Sequence, residues 1–209
     1  LESDRTILLA TETNAMRFLA RCLEAELVPL PSIDAREDFE AWRDEAGTGA
    51  SRTRVVVSVW NEAPNRRPLL DLDPEAWEAR FERPYLLWNL ALGAAALRCR
   101  DGGAIVGLVQ VPAALDAPGW TPEMSIGDGV VALIRSLAAS EGRRGIRANT
   151  VTTPLPLVGS NVIAPPPPLD RFPGRLDEEV AGAVRLLLSE EAKGLTGRVL
   201  SADCGRSLA

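Results

Sequence analysis

A chain of 209 residues has room for one domain with a substantial core and is short for two. With 46% hydrophobic residues, 25% charged residues and a formal charge of −6, it is composed like an ordinary globular protein and gives no basic footprint for nucleic acid or for an anionic membrane surface. The longest apolar run, residues 86–99, is broken by Asn89 and too short to span a bilayer; with no basic segment leading into an apolar one at the start, the expected location is cytoplasmic.

In chain order, residues 5–10 (RTILLA) read as a buried strand, 14–26 as an amphipathic helix and 27–30 as a second short strand. Residues 34–46 read as a helix that Gly47-Thr48-Gly49 ends. The β-branched run at 54–59 (RVVVSV) is typical of a strand covered on both faces. A polar stretch with prolines leads to a helical pattern over 75–98, expected to bend at Pro84. Asp101-Gly102-Gly103 predicts a turn, 104–109 (AIVGLV) a strand and 126–141 a helix. Gly145 precedes a strand at 146–151. Residues 152–174 are Pro-rich, with Pro165 to Pro168 consecutive, and predict a long irregular loop. A helix at 177–188 and a strand at 198–202 complete the chain. Strands alternating with helices predict a single doubly wound α/β domain over 1–209, with a parallel sheet and helices on both faces.

What the chain lacks restricts its chemistry. It has no histidine, so a Ser-His-Asp triad and histidine-ligated metal sites are excluded. It has one tyrosine, Tyr85, and one lysine, Lys193, 108 positions apart. Cys22, Cys99 and Cys204 have no metal-binding spacing and are expected to be buried free thiols.

Several phrases resemble the short-chain dehydrogenase/reductase family. GGAIVGLV (102–109) is similar to the strand leading to its catalytic serine, and PYLL (84–87) to part of its central helix. RSLAASEGRRGIRANTV (135–151) and DEEVAGAVRLLLSEEAKGLTGRVLSADCG (177–205) are similar to its two C-terminal segments. The resemblance implies a Rossmann-like sheet whose ligands bind beyond the carboxyl ends of the strands. It places residues 152–174 at the substrate lid. The crossover at 33–53 is short for the family, so the edge strand beyond the second strand is expected to be missing.

Each position that the family uses for chemistry holds something else. Its glycine-rich turn, which lets pyrophosphate approach a helix N-terminus, corresponds to Ala10, Asn14 and Met16, whose side chains are expected to fill space the phosphates need; Glu12 adds a negative charge there. Trp60 stands where the family keeps alanine beside the cofactor, either filling a vacated pocket or offering a stacking surface. Matched on the flanking segments, Gln110 takes the serine position, Glu123 the tyrosine, Gly127 the lysine and Arg80 the asparagine. No register brings Tyr85 and Lys193 into the family's proton relay. Asp34 is the candidate for the acid that reads a cofactor ribose, against the plainer reading of a helix cap. No cofactor is therefore expected; NAD(P) belongs to the alternative of a rebuilt active site using Glu123, Asp128 and Gln110.

The segments 86–97 and 126–141 look apolar on every side, which requires a second covering surface. Leu86, Leu90, Leu97, Ile126, Val130, Leu133, Ile134 and Leu137 are the expected contact residues. In the family these two helices form the main dimer interface, and the C-terminal strand forms the tetramer contact. The resemblance thus implies a non-catalytic subunit that pairs with itself or with an active paralogue, as degenerate family members do in acyl-CoA oxidation pathways. The alternatives are the rebuilt oxidoreductase and a small-ligand sensor using the old cleft.

Overall fold

A computed structural model describes residues 6–60, 65–112, 118–154 and 175–208. Six parallel strands, β1 (Thr6–Ala10), β2 (Ala25–Pro29), β3 (Arg52–Ser58), β4 (Cys99–Gln110), β5 (Arg147–Thr153) and β6 (Val199–Ser201), lie in the order β2-β1-β3-β4-β5-β6. The chain therefore turns one way from β1 to β2 and the other way to β3, which leaves a crevice at the carboxyl ends of β1 and β3. β2 is an edge strand, in agreement with the expected loss of a strand beyond it.

Strand periodicity divides the core in two. Ile7, Leu9, Val55, Val57 and Ile105 face α2 (Phe39–Gly47), α4 (Arg83–Arg98) and α5 (Thr121–Glu141). Leu8, Val56, Val106 and Leu108, one step out of phase, face α1 (Asn14–Cys22) and α6 (Ala181–Leu188). Both faces of the central strands are thus covered, as their continuous apolar runs require.

Several boundaries differ from the sequence reading. α1 stops at Cys22 because Glu24 takes a positive φ of 50°, and β2 begins at Ala25. The second crossover starts as a 3-10 turn at Arg36–Asp38 and becomes α2 only at Phe39. The 75–98 pattern is divided into α3 (Pro74–Trp77), a π-helical turn at Glu78–Glu82, and α4; the irregularity lies just before Pro84, whose ring and missing N–H disturb the helical ladder four residues back, at Arg80. β4 begins five residues early, at Cys99, and accommodates the expected turn through Gly102 at φ 77°. α5 begins five residues early, at Thr121, with Pro122 in its first turn. β5 runs on to Thr153, so the irregular stretch expected from 152 starts later; residues 155–174 of it lie outside the described residues. The last helix opens with a π turn at Leu176–Val180. Of the three free cysteines only Cys99 is buried, the other two being half-buried.

The central helices are less uniformly apolar than expected. Leu90, Ile126, Val130 and Ile134 are buried in the chain's own core. α2 covers part of α4, with Gly47 against the Leu97 side chain. Asp128, Arg135 and Ser136 stand exposed on α5. What remains outward of the expected contact set is Leu97, 67% exposed, with half-buried Leu86, Leu133 and Leu137. Among the described residues no helix is long and apolar enough to cross a membrane, and no group of residues could hold a metal ion.

Candidate functional site

A cleft of about 710 Å³ opens at the carboxyl ends of β1, β3 and β4, at the point where the strand order reverses. Thr11 and Thr13 after β1, Ser32 to Asp34 after β2, Val59 and Trp60 after β3, and Val109 and Gln110 of β4 line it from the sheet side. Ala79, Arg80, Pro84 and Trp88 close it from the π turn and α4, and Glu123 and Ile126 from α5.

The turn after β1 is held by its own side chains. Thr13 is the N-cap of α1, its Oγ1 accepting from the Met16 N–H at 3.2 Å, so one of the free amides of the first turn is already used. Arg17 donates to Glu12 Oε1 through Nε and Nη2 (3.3 and 3.2 Å) and to Asn14 Oδ1 through Nη1 (2.9 Å). Ala10 and Met16 do not project into phosphate space as expected. They are buried in the core on the α1 side, together with Trp60, while Asn14 is exposed. Trp60 is therefore a packing residue with one edge on the cleft, and its backbone N–H donates to Thr11 Oγ1 at 3.1 Å. A dinucleotide pyrophosphate would meet a capped amide and a carboxylate here instead of a glycine cradle. The turn does not fit that group.

On the far wall the structure brings three of the matched positions together. Arg80 Nε and Nη2 donate to Glu123 Oε1 and Oε2 at 2.9 and 2.7 Å, a bidentate pair 12% and 13% exposed. The guanidinium lies 5.9 Å from the Trp120 ring, and its Nη2 also approaches the Gly119 carbonyl at 3.4 Å. Arg80 is carried there by the π turn, and Glu123 by the first turn of α5. Gln110 ends β4 beside them, and its Nε2 is shielded from solvent without a hydrogen-bond partner. Gly127 is not at the cleft: a Cβ there would strike Val111 Cγ1, so α5 can pass β4 this closely only with glycine at 127.

The remaining candidates lie elsewhere. Tyr85 stacks on Phe81, 5.5 Å between ring centroids, and packs over Gly129. Lys193 is exposed and pairs with Glu190. Asp128 is exposed and does not line the cleft, which removes it from the rebuilt-site set. Asp34 caps no helix; it lines the cleft mouth with its carboxylate 85% exposed and 3.7 Å from Arg83. The Arg80–Glu123 contact was not foreseen, although both residues were singled out. The two are 43 positions apart, and only the fold makes them neighbours.

No family model matches the chain. It is 32% identical over 186 residues to cis-4-hydroxycyclohexanecarboxylate dehydrogenase of Sinomonas cyclohexanicum, covering 83% of this chain and 73% of that protein. It is 24% identical over 197 residues to a 4-formylbenzenesulfonate dehydrogenase of Comamonas testosteroni, covering 84% and 75%. Among solved structures, a short-chain dehydrogenase/reductase from Serratia marcescens superposes with a TM-score of 0.74 at 16% identity, over 98% of each chain. A second, described as a small-chain dehydrogenase, gives 0.72 at 16% identity, over 99% of this chain and 100% of the other.

Proposed function

Because the chain belongs to the short-chain dehydrogenase/reductase family, we propose that it is a non-catalytic member which supports or regulates an active dehydrogenase partner. The observation that carries this reading is the closed Arg80–Glu123 pair on the wall of the cleft. A proton relay needs an acid that can give up and recover its proton at the reacting atom. Both oxygens of Glu123 are instead held by the Arg80 guanidinium, at 2.9 and 2.7 Å. Gln110, matched to the carbonyl-holding serine, offers an amide that neither donates nor takes a proton near neutral pH. The matched lysine position has no room for a side chain against Val111.

The turn after β1 supports the same reading from the cofactor side. Thr13 already uses a first-turn amide and no glycine cradle is present, so no dinucleotide is taken as part of this proposal. The rebuilt oxidoreductase loses ground in turn, since Asp128 is off the cleft and Glu123 is engaged. The surface left for a partner is the outer side of α4 and α5, around Leu97, Leu86, Leu133 and Leu137, with edge strand β6 as a second contact. The two relatives named above are dehydrogenases, so a dehydrogenase of the same fold is the expected partner.

Native mass spectrometry of this chain co-expressed with a dehydrogenase of the same family tests the proposal. A heteromeric mass, together with partner activity that depends on the complex, is the expected result. Reduction or oxidation of a carbonyl or alcohol by the chain alone with NAD(P) would overturn it.

A further inference from the structure

The cleft has kept its volume although its phosphate cradle and its relay are gone, and its chemistry can be worked out from its walls. Its floor is apolar: Val59, Val109, Ile126 and Trp88 are buried side chains that show an edge to it. Its charges are spent, because Arg80 pairs with Glu123 and Asp34 at the mouth lies 3.7 Å from Arg83. Among the described residues that line it, a phosphate or carboxylate entering this space finds no unpaired cation to offset the loss of its hydration. One polar group is left without a partner, the Gln110 carboxamide, whose Nε2 is shielded from solvent and makes no hydrogen bond. A buried donor in that condition is destabilising unless something accepts from it. The Gln110 residue as a whole is half-buried, so a turn of its carboxamide can bring the donor onto the cleft.

We infer that this cleft binds a small uncharged ligand, a ring or compact apolar body bearing an amide or carbonyl oxygen, with Gln110 as the donor that recognises the oxygen. The inference goes beyond the subunit reading, which requires no ligand. It also departs from a dinucleotide site, because the occupant carries no phosphate. A volume of about 710 Å³ is ample for such a molecule. The occupant would lie against Trp60 and Trp88, both of which line the space, so binding has an optical readout that needs no turnover.

The probes are benzamide, benzoate and NAD⁺, titrated into the purified full chain by calorimetry and by tryptophan fluorescence. Benzamide is expected to bind saturably and to shift the emission, while benzoate binds at least about tenfold more weakly and NAD⁺ does not compete. Gln110→Leu is expected to weaken benzamide about tenfold, the value of one hydrogen bond to a buried donor. Gln110→Glu, which removes the neutral amide while keeping the shape, serves if the leucine variant fails to fold. Three results would overturn the inference: no saturable benzamide binding, benzoate or NAD⁺ binding as well as benzamide, or unchanged benzamide affinity in the folded Gln110 variant. Absence of benzamide binding together with absence of NAD⁺ binding would sink this inference alone and leave the subunit reading standing.

Discussion

Truncating Glu123 to alanine leaves the Arg80 guanidinium without its carboxylate in a place that water barely reaches. The size of the effect follows from where the pair lies. Exposed ion pairs are worth about 0.2–1 kcal/mol, whereas removing one partner of a fully buried pair costs about 3–5 kcal/mol. With 12% and 13% exposure and two charge-assisted hydrogen bonds at 2.9 and 2.7 Å, this pair lies nearer the buried limit. Glu123→Ala should therefore cost about 2–4 kcal/mol, which in a domain of this size lowers Tm by roughly 4–16 °C. The double substitution Arg80→Met with Glu123→Leu removes both charges and keeps the volume, so it should recover most of that loss. Urea unfolding of the wild type, Arg80→Met, Glu123→Leu and their double closes the cycle and gives the coupling energy directly, expected at about 2 kcal/mol. A Glu123→Ala cost below about 0.5 kcal/mol, with no coupling, would refute the claim that the pair is closed and dry.

Met16→Gly opens a cavity under the turn after β1 and should cost about 3–5 kcal/mol in chemical denaturation, with no gain in nucleotide affinity. Gly127→Lys, which restores the family's residue type, should destabilise by about 1–3 kcal/mol because Val111 occupies the space; an unchanged Tm would show that α5 can move away from β4. Asp177 is held below the usual carboxylate range, chiefly by the hydrogen bond from Arg175. A depressed carboxylate contributes stability above its unfolded pKa and loses it as pH falls through the folded value. Asp177→Asn should therefore lower stability slightly near neutrality, flatten the acid limb of the curve, and leave stability unchanged below the folded pKa, as urea unfolding across pH would read.

How much of this could be read from the chain differs from element to element. Residues 54–59 and 104–109 announced buried strands because β-branched runs covered on two faces need no alternation. The helix after β1 is shorter than its pattern because Leu23 and Glu24 are acceptable helix formers, and only the positive φ of Glu24 ends it. The start of α5 could have been found, since Pro122 in a first turn is a known opening signal. The irregularity near Pro84 is legible from the proline, and its form, a π turn at Glu78–Glu82, leaves no signature in composition. For the site, Gln110, Glu123 and Arg80 were legible as departures from a pattern. What they do with one another was not, because the pairing joins a π turn to a helix start across 43 positions. Leu90, Ile126, Val130 and Ile134 lie in the chain's own core for a related reason: a helix packed between a sheet and its neighbours is apolar on more than one side.

The central claim is that this fold has exchanged its nucleotide chemistry for internal contacts. Calorimetric titration of the purified chain with NADH and NADPH at millimolar concentration tests it most directly. The account predicts heats of dilution alone with both. Saturable binding of either, followed by hydride transfer to an added carbonyl compound, would contradict it.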